Sequence, residues 1–302
     1  MDPLEDYLRQ ATALPSAGSG RFQLDPRRQT QLLGQLGLAF AEQGFLKLSQ
    51  AAVRSGSPFL KVDNRGPSSV WEFSPQLPLL APCWEPGQAA WQVCLSLALL
   101  SLSQKYNVQW AWPGGRGKVE DGHFEERVAA TEMAHFQVRA KPRQRSIWSQ
   151  LSGALKAVQK IRPQLNYLPL RLEWDGKPQD TQVGRLSSSL EVLIYHPQGQ
   201  LRFDPNSRAP QVERIDWQPD RGGQAALGAT SRSWSETLFV LDGIALEKEK
   251  NLLDRPGVLA VISAHGLNSS LSGLELVHDD AFRQRLQEVR PHVHFIDRKL
   301  RA

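Results

Sequence analysis

Phe45, Leu48 and Ala52 recur at the spacing that keeps apolar side chains on one face of an α-helix, and they predict a helix from about Ala41 to Ser55. Gly56 follows where a left-handed helix cap belongs, and Pro58 forbids continuation. Two short apolar runs, Phe59–Val62 and Val70–Phe73, are separated by Asp63, Asn64, Gly66 and Pro67 and read as strands joined by a tight connection. A longer apolar stretch opens at Pro86 and Gly87 and runs through Ser103 as a buried helix; alternation over Val108–Trp112 then predicts a strand. Met133–Ala140 reads as another strand, and the Gly/Pro-rich Pro113–Gly117 with the polar residues after it reads as a surface loop. Upstream, the pattern gives a short helix to Ala11, a linker at Pro15–Gly20 and an extended Arg21–Leu24. A helix then opens at Asp25 and Pro26 and carries Leu32, Leu33 and Leu36 to Gly37.

Lys141, Arg143 and Arg145 read as a basic linker that introduces an amphipathic helix marked by Ile147, Leu151, Leu155, Val158 and Ile161. Beyond it the chain turns strand-like at Leu168–Trp174, Leu190–Tyr195, Leu201–Phe203, Val212–Trp217, Leu238–Leu246 and Val258–Ser263, with turn signals at Asp175-Gly176 and Pro197-Gln198-Gly199. One late helix, Asp280–Val289, precedes a final strand at His292–Ile296. The expected architecture is α+β: residues 1–143 as helices over one face of a sheet, a two-layer sandwich, and residues 144–302 as a strand-rich α+β domain. A length of 302 residues exceeds the usual size of one hydrophobic core, which agrees with two domains.

Composition changes this picture little. With 40% apolar and 22% charged residues the chain has enough to bury a core. The net charge of +5 favours acidic partners without demanding them, because the basic residues are dispersed along the sequence with no tail that would track phosphates. Two cysteines, Cys83 and Cys94, are too few for a disulfide framework and fit a reducing, cytoplasmic compartment. The polar, acidic first residues show no signal peptide, and Ala89–Leu102 is too short and too interrupted to cross a bilayer.

The segment Phe45-Leu46-Lys47-Leu48-Ser49-Gln50-Ala51-Ala52-Val53-Arg54-Ser55-Gly56-Ser57 resembles the first nucleotide-site motif of the GHKL ATPase superfamily (gyrase, heat-shock chaperone, histidine kinase, MutL). In that motif a helix carrying a Glu and an Asn ends at Ala-Gly-Ala and enters a strand. Gly87-Gln88-Ala89-Ala90, the helix after it and the strand Val108–Trp112 are similar to the end of the ATP lid, its helix and the next strand. In the later half, Tyr167–Gly176 and Leu271–Asp280 resemble segments that follow the nucleotide domain in heat-shock-chaperone-like and MutL-like chains, bacterial relatives among them.

The resemblance implies a two-layer GHKL fold without the catalytic side chains. Where active members hold a general base and a Mg²⁺ ligand one turn apart, this chain has Lys47 and Ala51, and the next acidic position is Arg54. A protonated amine cannot take a proton from water, and alanine offers a metal no oxygen. The strand Val70–Phe73 is followed by Ser74-Pro75-Gln76-Leu77-Pro78 where the family places Asp-x-Gly-x-Gly, and only Gly87 corresponds to the lid glycines. The degenerate site is thus Lys47, Gln50, Ala51, Arg54 and Gly87, expected to close over its cations and to hold no cofactor.

Two smaller constellations carry weaker chemistry. His292 and His294 would share one side of a strand, with Asp297 nearby, but two imidazoles without a third ligand make no metal site. Among nine tryptophans, Trp84 and Trp234 fall in loop-like settings and are the expected exposed contacts. The sequence therefore leads to a non-catalytic GHKL-derived interaction or assembly protein whose partner is another protein and not a membrane. A nucleotide-binding protein with an unorthodox site and a basic nucleic-acid-binding module remain as alternatives.

Overall fold

The computed structural model describes residues 21–23, 41–76, 89–120, 123–128, 133–143, 156–179, 192–196, 199–203, 225–229, 233–270 and 272–300. The chain divides into two compact units, Met1–Arg162 with Leu170–Gln179, and Pro163–Pro169 with Asp180–Ala302. The helices expected at Met1–Ala11 and Asp25–Gly37, the linker Pro15–Gly20, the strand Val212–Trp217, and residues Gly87, Trp84 and Arg145 lie outside the described residues.

In the first unit, helices α1 (Ala41–Arg54) and α2 (Ala90–Ser103) accompany strands β1 (Arg21–Gln23), β2 (Phe59–Asp63), β3 (Ser69–Phe73), β4 (Tyr106–Trp112), β5 (Gly115–Glu120), β6 (His123–Val128), β7 (Phe136–Pro142), β8 (Arg171–Trp174) and β9 (Lys177–Gln179). They form a nine-stranded sheet in the order β1-β6-β5-β4-β7-β3-β2-β8-β9. All neighbours are antiparallel except β2 and β8, so the sheet is mixed. β8 and β9 add to this first sheet, although the sequence pattern places Leu168–Trp174 with the strand-rich half.

The helical side of this sheet follows from strand alternation. Leu60 and Val62 on β2, Trp71 and Phe73 on β3, and Val138 and Ala140 on β7 are buried, while their alternate neighbours are more open. Phe45 of α1 stacks on Trp71 at 5.3 Å between ring centroids and meets Tyr106 edge-on at 5.6 Å. α2 is apolar almost all round and its side chains from Leu97 to Ser103 are all buried. The two helices approach closely at Gly44, where a methyl group would stand 2.9 Å from Leu102 Cγ.

Residues 113–128 correct the sequence reading. Instead of a surface loop, β5 and β6 form a hairpin that extends the sheet beyond β4. Glycine usually signals a loop, but here Gly115 and Gly117 make room for the rings of Trp112 and Trp110 on the adjacent strand. A Cβ on Gly117 would lie 2.2 Å from Trp110 Cζ2. The basic linker is corrected in the same way, because Lys141 is paired opposite Asn107 within β7. Arg143 continues that edge, its backbone N–H donating to Lys105 O at 3.2 Å and its Nε to Tyr106 O at 3.3 Å. Of the amphipathic helix expected at Ile147–Ile161, residues 156–161 are described and helical.

The second unit holds a six-stranded sheet made of β10 (Val192–His196), β11 (Gly199–Phe203), β12 (Ala225–Ala229), β13 (Glu236–Leu241), β14 (Ile244–Lys250) and β15 (Val258–Ser263), in the order β11-β10-β12-β15-β13-β14. β13 and β15 run parallel. The single strand expected at Leu238–Leu246 is two, broken by the turn Asp242-Gly243. Both turn residues have positive φ, 51° and 73°, the two-residue hairpin geometry that Asp-Gly favours. The same signal at Asp175-Gly176 was legible and turns β8 into β9.

Helix α3 (Asp280–Leu300) replaces both the shorter helix and the final strand. Phe282, Leu286, Val289 and Val293 form its buried stripe, packed with Leu227, Phe239, Ala260 and Ile262 of the sheet. Val293 sits four residues after Val289 and still has a place in that core, so the helix continues past Pro291. Arg285 ties it to the end of β15, donating from Nη1 to Ser263 O at 2.6 Å and from Nη2 to His265 O at 3.1 Å.

Candidate functional site

α1 ends in a cap that the sequence announced. Ser57 N–H donates to Ala52 O at 3.2 Å and Gly56 N–H to Val53 O at 3.0 Å, with Gly56 at φ 72°. This is the paired bonding of a Schellman cap, and it delivers the chain into β2.

Of the five positions singled out in the sequence, the four described ones do not form an open cationic cleft. Lys47 is 4% exposed, and Gln50 and Ala51 are fully buried. The Lys47 ammonium donates to Gln50 Oε1 at 2.7 Å, within the helix itself. Arg54, in the last turn, is exposed to solvent, and Gly87 lies outside the described residues. Helix geometry puts positions 47 and 54 on one face, but the packing that covers the middle of α1 releases its end.

The opposite face of the nine-stranded sheet carries a feature that no linear motif announced. Strand register aligns Glu125, Lys118, Gln109 and Arg139 in one row across β6, β5, β4 and β7. The next row is Arg127, Arg116, Ala111 and Gln137. These side chains alternate with the buried Val108, Trp110, Val119 and Val138, so they stand on the side away from the buried aromatic core. With Trp110 and Gly117, which lie between the two rows, they line a depression of about 420 Å³. Arg116, Arg127 and Arg139 are exposed, while Lys118 Nζ is 3.7 Å from Glu125 Oε2. Lys141, also exposed, continues the same face beside Arg139. The signal available in the sequence was the two-residue spacing of Arg116 with Lys118 and of Arg139 with Lys141, interpretable only once these segments are known to be neighbouring strands.

The two histidines do not share the strand side that the sequence pattern gives them. His292 and His294 fall in α3, where two residues span about 200° of rotation and point to different sides. His292 is partly buried, which lowers its pKa from the usual value, and His294 is exposed. Among the described residues no group of three His, Cys, Asp or Glu could hold a metal. Trp234 is 38% exposed, its indole donating to Glu236 Oε1 at 3.1 Å with Lys250 over the ring at 5.5 Å. Cys94 is a buried free thiol, and among the described residues no helix is long and apolar enough to cross a membrane. No protein-family model matches the chain, and no curated protein matches it.

Proposed function

We propose that this chain is a non-catalytic interaction or assembly protein built on a GHKL-type frame that has lost ATP hydrolysis. The observation that carries the reading is the burial of Lys47 beside Ala51, with the lysine amine spent on Gln50 where an active site would present a base and a metal ligand to water. The order of α1, β2 and β3, then α2 and β4, supports the frame. No cofactor is assigned to these residues, and a reducing, cytoplasmic setting fits the buried free thiol of Cys94.

Turnover and binding test this together. The purified protein with ATP and Mg²⁺ releases no phosphate above a buffer blank, and its melting temperature does not move with ATP or ADP. Saturable binding at a hundred times the dissociation constant would add about 2.7 kcal/mol of stability and be plain in the melt. Mg²⁺-dependent turnover that co-purifies with the protein would overturn the reading.

A further inference from the structure

We infer that the outer face of the nine-stranded sheet over β4–β7 is a docking surface for double-stranded nucleic acid, held by its phosphates without sequence preference. This gives the interaction reading a partner class and rests on it only in that the chain works by binding.

Arg116, Arg127 and Arg139 are exposed on one face with no ion pair or side-chain hydrogen bond to any described residue. Arg116 and Arg127 are directly opposed across β5 and β6, where like charges repel at a Cα separation of about 5 Å. Among the described residues the carboxylate beside them, Glu125, is engaged by Lys118 at 3.7 Å, so an external polyanion would relieve the repulsion. Guanidinium forks match phosphate oxygens two at a time, and Gln109 and Gln137 add neutral amide donors between the cations. The array lies within reach of Lys141 on the same face, and the chain as a whole carries +5, so the long-range field has the same sign as the patch.

The make-up of the depression decides between partners. Ala111 is the sole apolar side chain of the two rows, and Trp110, which also lines the depression, is only 2% exposed, so a protein partner finds little apolar surface to bury. Nucleic-acid interfaces are more polar and more strongly cationic. No aromatic ring projects from those rows: the Trp110 indole belongs to the other face, where its Nε1 donates to Glu126 Oε1 at 3.2 Å. Unpaired bases therefore have no ring to stack on, which favours a duplex whose bases stay paired and whose phosphates alone are read.

The test is fluorescence anisotropy of a short labelled DNA duplex titrated with the full chain from roughly 50 to 200 mM salt. Each phosphate contact steepens the dependence of log affinity on log salt by about 0.9, so replacing all three arginines with glutamine makes the slope shallower by about 2.7. Wild type then loses about 40-fold more affinity than the Arg116→Gln/Arg127→Gln/Arg139→Gln variant over that fourfold rise in salt. A charge-matched variant at exposed sites elsewhere, Lys156→Gln/Lys177→Gln/Arg283→Gln, keeps the wild-type slope. A melting curve verifies folding, and if the triple variant fails it, Arg139→Gln alone shifts the slope by about 0.9. Equal weakening by both triple variants would overturn the inference, as would absence of binding at the lowest salt. So would tighter binding of an unpaired oligonucleotide, or equal competition by polyglutamate, which would reassign the face to single strands or to acidic protein. ATP turnover would remove the pseudo-ATPase reading and leave this result standing; equal effects of the two triple variants would do the reverse.

Discussion

Arg116 on β5 and Arg127 on β6 stand directly opposite each other across an antiparallel pair, both exposed, in a row whose next positions, Ala111 on β4 and Gln137 on β7, carry no charge. Cross-strand like charges are destabilising by a few tenths to about 1 kcal/mol, so Arg116→Thr raises stability by up to about 1 kcal/mol in low salt, and by less as salt screens the pair. Arg139→Thr, which faces Gln109 and Val70, changes little. Urea midpoints of the two variants decide this, and a loss of stability in Arg116→Thr would show that the pair is not repulsive.

The Lys47–Gln50 bond is a second point of leverage. Removing the acceptor with Gln50→Ala leaves a buried ammonium short of a partner and costs about 1.5–3 kcal/mol. Lys47→Met, which removes the charge while keeping the volume, costs less. Equilibrium unfolding of both proteins gives the order, and the reverse order would mean that the amine is held by other groups.

Gly117→Ala drives a methyl group into the Trp110 ring, 2.2 Å from Cζ2, and overpacking of this kind costs about 1–3 kcal/mol. Trp110 is nearly fully buried, so its displacement also changes the tryptophan emission of the folded protein. A variant with unaltered emission and stability would mean that the ring does not lie over Gly117.

Acidification probes the start of α3. Asp279 accepts from Phe282 N–H at 3.0 Å and from Asn268 Nδ2 at 2.6 Å, and these bonds, the helix cap foremost, hold its pKa below the usual 3.8. A carboxylate with a lowered folded pKa contributes stability that is complete above its unfolded value and is lost as pH falls through the folded one. Asp279→Ala therefore lowers the melting temperature at neutral pH, and its deficit against wild type narrows below about pH 4. A deficit that stays constant down to pH 2 would place the effect outside the carboxylate. Asp279→Asn retains an N-cap oxygen and is expected to lose less at neutral pH.

Much of the local structure was determined by the sequence itself. Phe45, Leu48 and Ala52 set the period of α1, Gly56 its cap, and Asp175-Gly176 the turn between β8 and β9, because each rests on contacts within a few residues. The failures share one cause. Gly115 and Gly117 looked like loop residues because the tryptophan rings that need their missing side chains arrive from the neighbouring strand. His292–Ile296 looked like a strand because the core that gives Val293 a place is built partly by β12, β13 and β15, far away in sequence. That positions 47 and 51 carry a lysine and an alanine was legible as residue identity alone. That Lys47 is buried against Gln50 while Arg54 is open depends on what packs over each end of α1, which no spacing encodes. The basic face shows the same limit most clearly. Arg116, Arg127 and Arg139 are dispersed along the chain and carry no motif; strand register sets them on one surface, because pairing at about 4.8 Å between strands joins residues that the sequence keeps apart.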